Sequence, residues 1–148
     1  MSTSRMDRYV PLVMEFSARI VLFHSAVADK LGLHTTDLKC LRLLGEETLS
    51  AGELAERTGL TGAAVTALID RLENAGYVTR NRESEDRRKV TVRAIPRSIR
   101  KLNELYQNQY KRMSKLIDAY SAAEFESIMD FLKKTTEILE VGAKELRA

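Results

Sequence analysis

Residues 50–95 read SAGELAERTGLTGAAVTALIDRLENAGYVTRNRESEDRRKVTVRAI, and this stretch organises the whole chain. Ser50 and Glu53 make an S-x-x-E capping box, whose hydroxyl and carboxylate each satisfy a backbone amide at a helix start. Leu54 and Ala55 supply the apolar side of the short helix that follows. Gly59 ends it, because the residue past a helix end often needs a positive φ that glycine adopts without steric cost. Thr61 can cap a second helix. Its apolar residues Val65, Leu68, Ile69 and Leu72 fall at i, i+3, i+4 and i+7, which is one helical face.

Two helices this short, joined by a tight glycine turn, bury little alone and must cross closely. Small Ala55 lies at the crossing and Val65 faces back into the pair. The pattern predicts a helix-turn-helix whose second helix enters a DNA major groove. The outward residues near its start are Thr61, Gly62, Ala63, Ala64, Thr66 and Ala67. All are small, so the helix backbone can approach base edges, and Ala and Thr methyls can meet thymine methyls. The same residues would suit an exposed helix that packs on another protein.

Asn74-Ala75-Gly76 closes the second helix. Tyr77 to Arg80 then reads as a strand and Lys89 to Arg93 as its return, with Val90 and Val92 alternating against Thr91 and Arg93. Between them runs a polar hairpin tip, Asn81 to Arg88. Residues 80–93 hold six basic side chains (Arg80, Arg82, Arg87, Arg88, Lys89, Arg93) against three acidic ones. A helix-turn-helix followed by a basic hairpin is a winged helix, and the basic tip favours DNA over a protein partner.

The run T-x-x-x-V-T-x-x-I-D-R-L-E-x-x-G-Y-V-x-R from Thr61 to Arg80, followed by Glu83-Ser84-Glu85-Asp86-Arg87-Arg88, resembles the core of MarR-family transcriptional regulators. The family's wing tip commonly reads D-x-x-D-R-R, so Glu83 is a conservative departure. A second departure is Ile95-Pro96-Arg97, where the family often carries Thr and Gly, which alters the exit into the next helix. The resemblance implies a homodimer that binds double-stranded DNA, with the wing's Arg88 entering the minor groove, where width and potential are read. Arg87 joins it on the DNA backbone, with Arg82 beside them. Asp86 would support the wing by orienting an arginine through a bidentate pair. Arg71 lies a turn beyond the groove-facing residues, placed either for a phosphate or as a strut to Asp86 or Glu73.

Outside the core, apolar residues recur from Met6 to Leu31 as Tyr9, Val13, Phe16, Ile20, Phe23, Val27 and Leu31, which predicts a long helix with one continuous seam. Pro11 marks its first residue or a kink, and Gly32 ends it. Thr35 or Thr36 can cap a second helix over Asp37–Glu46, with Asp37 favourable beside the positive helix end. Leu38, Leu41 and Leu44 share its inner face, and Leu49 can form a short strand against the wing. After Pro96 breaks the strand, Ser98 can cap a fifth helix with a seam of Leu102, Leu105, Tyr106, Met113, Leu116, Ile117 and Tyr120. Ser121 and Glu124 form a second capping box. It opens a last helix carrying Phe125, Ile128, Met129, Leu132, Leu139, Ala143 and Leu146.

The fold expected is therefore mainly α with a small β-hairpin wing. A winged helix-turn-helix DNA-binding lobe spans about residues 33–96, and a helical dimerisation lobe is built from about 5–31 and 98–148. The chain of 148 residues has a net charge of +3 and a pI near 9.1, which is compatible with DNA binding without demanding it. No apolar run approaches the ~18 residues of a membrane span, and the N-terminus lacks a signal-peptide core. A cytoplasmic location is expected.

Family members often release DNA when a small aromatic or anionic effector binds between the lobes. By resemblance that cleft would draw on Phe16, Phe23, His24, Cys40 and Tyr106, each of which also fits an ordinary core position. Cys40 reads as a small buried hydrophobe. A redox-responsive role would need thiolate-stabilising neighbours and access, and relatives that sense peroxide carry their cysteine in the first helix. The two histidines and single cysteine form no metal spacing, and no glycine loop cradles phosphate. No metal, no cofactor and no catalysis are expected.

Overall fold

A computed structural model describes residues 4–82 and 90–146, with the backbone alone at Arg82. The elements are α1 (Arg5–Leu31), α2 (Thr35–Glu46), β1 (Leu49–Ser50), α3 (Ala51–Thr58), α4 (Gly62–Asn74), β2 (Val78–Arg82), β3 (Val90–Ala94), α5 (Pro96–Ile117) and α6 (Ala122–Glu145). They fall into two units, Met1–Leu105 and Tyr106–Ala148. By its contacts α1 belongs with the winged-helix elements.

Local chemistry sets most boundaries. The Ser50 hydroxyl accepts from the Glu53 amide while the Glu53 carboxylate accepts from the Ser50 amide, closing the expected box; Ser121 and Glu124 do the same at α6. Ser4 and Asp7 close a third box, with aspartate in the place that Glu or Gln usually takes, and this starts α1 at Arg5. Gly59 lies at φ 71° just past α3, and Gly32 at φ 67° just past α1. Both are left-handed conformations that cost an L side chain energy.

Several boundaries differ from expectation. Pro11 sits inside α1 rather than at its first residue. The N-cap of α2 is His34, which makes no side-chain cap bond. Buried Asp37 and Leu38 set the phase of that helix, so Thr35 and Thr36 both fall within its first turn and neither caps it. Pro96 is the first residue of α5, a position where its fixed φ and missing N–H cost nothing. Ser98 therefore lies within the first turn, and its hydroxyl donates to the Gly76 carbonyl. An added Cβ at Gly45 would meet Ile99 Cδ1 at 2.7 Å, so α5 starts in close contact with α2.

The sheet runs β1-β3-β2, antiparallel throughout. Leu49 pairs with Val92 and Val78 with Ala94. Because β3 is central, Thr91 is buried along with Val92, and the simple alternation expected for this strand is lost. The core gathers Leu38, Leu41 and Leu44 of α2, Leu54 of α3, Val65, Leu68, Ile69 and Leu72 of α4, and Val78 and Val92 of the sheet.

The seam of α1 is buried only at Val27 and Leu31, with Ala28 beside them; Phe16 is 55% exposed and Val21 63%. This helix corrects one expectation. An 18-residue window of α1 averages a hydropathy of 1.4, enough by length and composition to cross a membrane. The only formal charges across its middle, Glu15 and Arg19, interrupt the apolar run and pair with each other.

Candidate nucleic-acid interface

Helix α4 carries the groove-facing candidates. Thr61 is its N-cap, accepting from the Ala64 amide, and the Thr66 hydroxyl donates to the Gly62 carbonyl. Thr61, Gly62, Ala63, Ala64, Thr66 and Ala67 are all exposed, while Val65, Leu68, Ile69 and Leu72 turn inward. The structure thus places the small residues on one open face. Helices α1, α2, α3 and α6 each carry an acid in the first turn, whereas α4 and α5 have none. The positive end of α4 is left uncompensated, which suits an approaching phosphate.

Two ion-pair systems hold α4. Arg71 donates from Nη2 to Asp37 Oδ1 at 2.7 Å and from Nε to Oδ2 at 3.2 Å. Its strut is thus Asp37 of α2 rather than Glu73, and Asp86 lies outside the described residues. The hydrogen bond to Asp37 raises the guanidinium's pKa further, with desolvation opposing and the charge of Asp37 assisting. Glu73 and Asp70 are engaged instead by Arg80 of β2, and the Arg80 amide also donates to Glu73 at 3.2 Å. The base of the wing is so tied to the last turns of α4. Sequence reading missed both systems, since nothing local pairs residue 37 with residue 71. The D-R-L-E run and the later Arg80 did carry the second.

Of the wing residues, Arg82 ends β2 and pairs through its backbone with Val90. Asp86, Arg87 and Arg88 lie outside the described residues.

The five effector candidates have unlike surroundings. Phe16 is exposed, Phe23 and His24 are half-buried with ring centroids 5.9 Å apart, and Cys40 and Tyr106 are buried. Tyr106 stacks on Tyr110 at 5.7 Å. Desolvation, then the charge of Arg42, lowers the His24 pKa and so favours its neutral imidazole. Burial, then Asp37, pushes the Cys40 thiol up to about 11, with Lys39 opposing. That is the reverse of what a reactive thiolate requires. An open groove along α6 is lined by Lys134, Ile138, Val141 and Glu145, and by none of the five.

A helix-turn-helix with a small-residue second helix, braced to a three-stranded sheet, defines a winged-helix DNA-binding protein. Comparison with known proteins takes the assignment further. The MarR family model matches residues 31–89. The HTH-type transcriptional regulator YcgE of Bacillus subtilis (strain 168) is 39% identical over 93% of this chain and 90% of its own length. The HTH-type transcriptional repressor YetL of the same organism is 30% identical over 74% of this chain and 68% of its own. Among solved structures, a MarR family protein from Bacillus stearothermophilus superimposes with a TM-score of 0.74 at 20% identity, covering 95% of this chain and 99% of that one. A single-site mutant of MepR from S. aureus, bound to an oligodeoxyribonucleotide, gives a TM-score of 0.62 at 19% identity, covering 88% and 97%. The chain belongs to the MarR family of winged-helix transcriptional regulators.

Proposed function

We propose that the chain is a homodimeric, cytoplasmic repressor that lays α4 of each copy in successive major grooves of a near-palindromic operator and releases it when a small aromatic or anionic ligand binds. The observation that carries the reading is the exposed face of α4, small from Thr61 to Ala67 and free of acid in its first turn. The repressor YetL and the DNA-bound MepR structure support it by likeness. In a two-fold dimer the half-site centres lie about one helical turn, roughly 10 bp, apart. Thr61 to Ala67 read base edges, Arg71 meets a phosphate, and Arg82, Arg87 and Arg88 of the wing bind backbone and minor groove with Asp86 in support. The residues do no catalysis.

The dimer rests on apolar surface without a core of its own. None of the residues of α6 is buried, and Ile138, Leu139 and Val141 are 71%, 68% and 56% exposed. On α1, Leu12 and Val21 are 70% and 63% exposed. A second copy covering these helices removes that surface from water, and the apolar average of α1 then marks an interface rather than a membrane span. Light scattering at micromolar concentration is expected to give the dimer mass; a monomer there would discard this part of the reading. For DNA, the protein is titrated onto a duplex from upstream of its own gene and onto a scrambled one, at two salt concentrations. Selective binding that weakens steeply with salt is expected. Arg88→Ala should lower the slope of log K against log salt by about one, and an unchanged slope would remove Arg88 from the contact set.

A further inference from the structure

Asp37 is the one charged side chain buried among the described residues, 2% exposed, and Arg71 is its bidentate partner across the α2–α4 packing. Removing Arg71 would leave a buried carboxylate without its ion-pair partner, which is unfavourable. Arg71 is therefore held, and cannot swing away to follow a phosphate as a free arm. Its side chain is nonetheless 48% exposed, and the pair uses only Nε and Nη2, leaving Nη1 outside it. On α4, Ala64, Ala67 and Arg71 fall at i, i+3 and i+7, so the held guanidinium continues the small groove-facing stripe.

We infer that Asp37 is a positioning residue for DNA readout. From α2 it fixes the Arg71 fork, which seats α4 at one rotation and depth in the groove and presents Nη1 to a backbone phosphate at the end of the stripe. The inference rests on the DNA-binding reading above and adds to it a residue that never touches DNA. A phosphate contact from a fixed donor sets register, and register is what lets the stripe meet the right bases. The pair thus serves discrimination between sequences more than overall attraction to DNA.

The test uses a duplex that the wild-type chain selects from a random-sequence library, and a scrambled duplex of equal composition. Arg71→Lys keeps the charge and can reach a phosphate as a point charge, but loses the fork. It is expected to weaken binding to the selected duplex roughly tenfold, about 1.4 kcal/mol, with the scrambled duplex unaffected. Asp37→Asn should cut the same ratio, with scrambled binding equal or stronger because a negative charge is gone. Adding Arg71→Lys to Asp37→Asn should cost little more, since the two act as one unit. A selectivity ratio unchanged in Arg71→Lys overturns the proposal in favour of a free phosphate arm. A parallel loss on both duplexes, tracking a lowered melting temperature, overturns it in favour of a purely structural pair. Arg71 is half-exposed, so its lysine variant decides even where Asp37→Asn folds poorly. A wild-type chain that enriches no sequence brings down the DNA reading itself, and this proposal with it.

Discussion

Helices α4 and α6 are both amphipathic with the same period, yet their apolar faces meet opposite fates. In α4, Val65, Leu68, Ile69 and Leu72 are at most 2% exposed; in α6 nothing is buried and Leu139 is 68% exposed. Both helices begin at a hydroxyl cap, Thr61 and Ser121. The contrast shows that periodicity reveals which face is apolar and leaves open what covers it. The winged-helix elements bring their own cover, because the sheet and helices α2 and α3 pack on α4. For α6 the cover proposed is a second copy of the chain.

That contrast can be broken or sharpened by measurement. The largest effect is expected for Leu68→Ala, which should cost roughly 2–5 kcal/mol in urea unfolding, a cavity being left in a filled core. Leu139→Ala, made in exposed surface, should cost well under 1 kcal/mol at high dilution and show its effect as weakened self-association. Equal losses for the two at all concentrations would mean that α6 is covered within its own chain.

Next comes pH. The Cys40 pKa is raised from 9.0 to about 11 in the folded chain, so the native state holds its proton where the unfolded state has lost it. The stabilisation is complete below pH 9 and is lost as pH rises through 11. The difference between wild type and Cys40→Ala should shrink by roughly 2–3 kcal/mol across that range. A constant difference would mean the thiol is not held in the core.

Smaller again is Gly59→Ala, expected to cost about 1–2 kcal/mol by forcing a side chain into the left-handed region. The smallest pair is Ser50→Ala and Ser121→Ala, about 1 kcal/mol each for the helix concerned. Only the first should lower the unfolding midpoint of the winged-helix unit, read by amide hydrogen exchange in β1 and β3. The second should loosen α6 alone, and a shared response would erase the distinction drawn between the two regions.

What could be read from sequence was local. Ser50, Glu53, Gly59, Thr61 and Gly76 act within a few residues of themselves, and their caps and turns lie where their chemistry put them. Ser98 and Thr35 misled because a better claim overrode each: Pro96 could itself open α5, and Asp37 had to turn inward. The bracing of the site was illegible at Asp37, 34 residues from Arg71, since no spacing rule reaches that far. For Phe16, Phe23, His24, Cys40 and Tyr106 an aromatic or apolar identity could not separate core from cleft, and their unequal exposure follows from tertiary packing alone.

The two-residue strand β1 pairs with β3 through Leu49 and Val92, and this has a consequence for how the chain is made. During synthesis Ser50 leaves the ribosome well before Val92. At about 5–20 residues per second the delay is roughly two to eight seconds. During it α3 and then α4 emerge, and their sheet cannot yet close. The boxes and glycine stops need no distant partner, so the nascent helices can keep their ends while β1 waits. The arrival of β3 then closes the β1-β3-β2 sheet, so the backing of α4 is completed last.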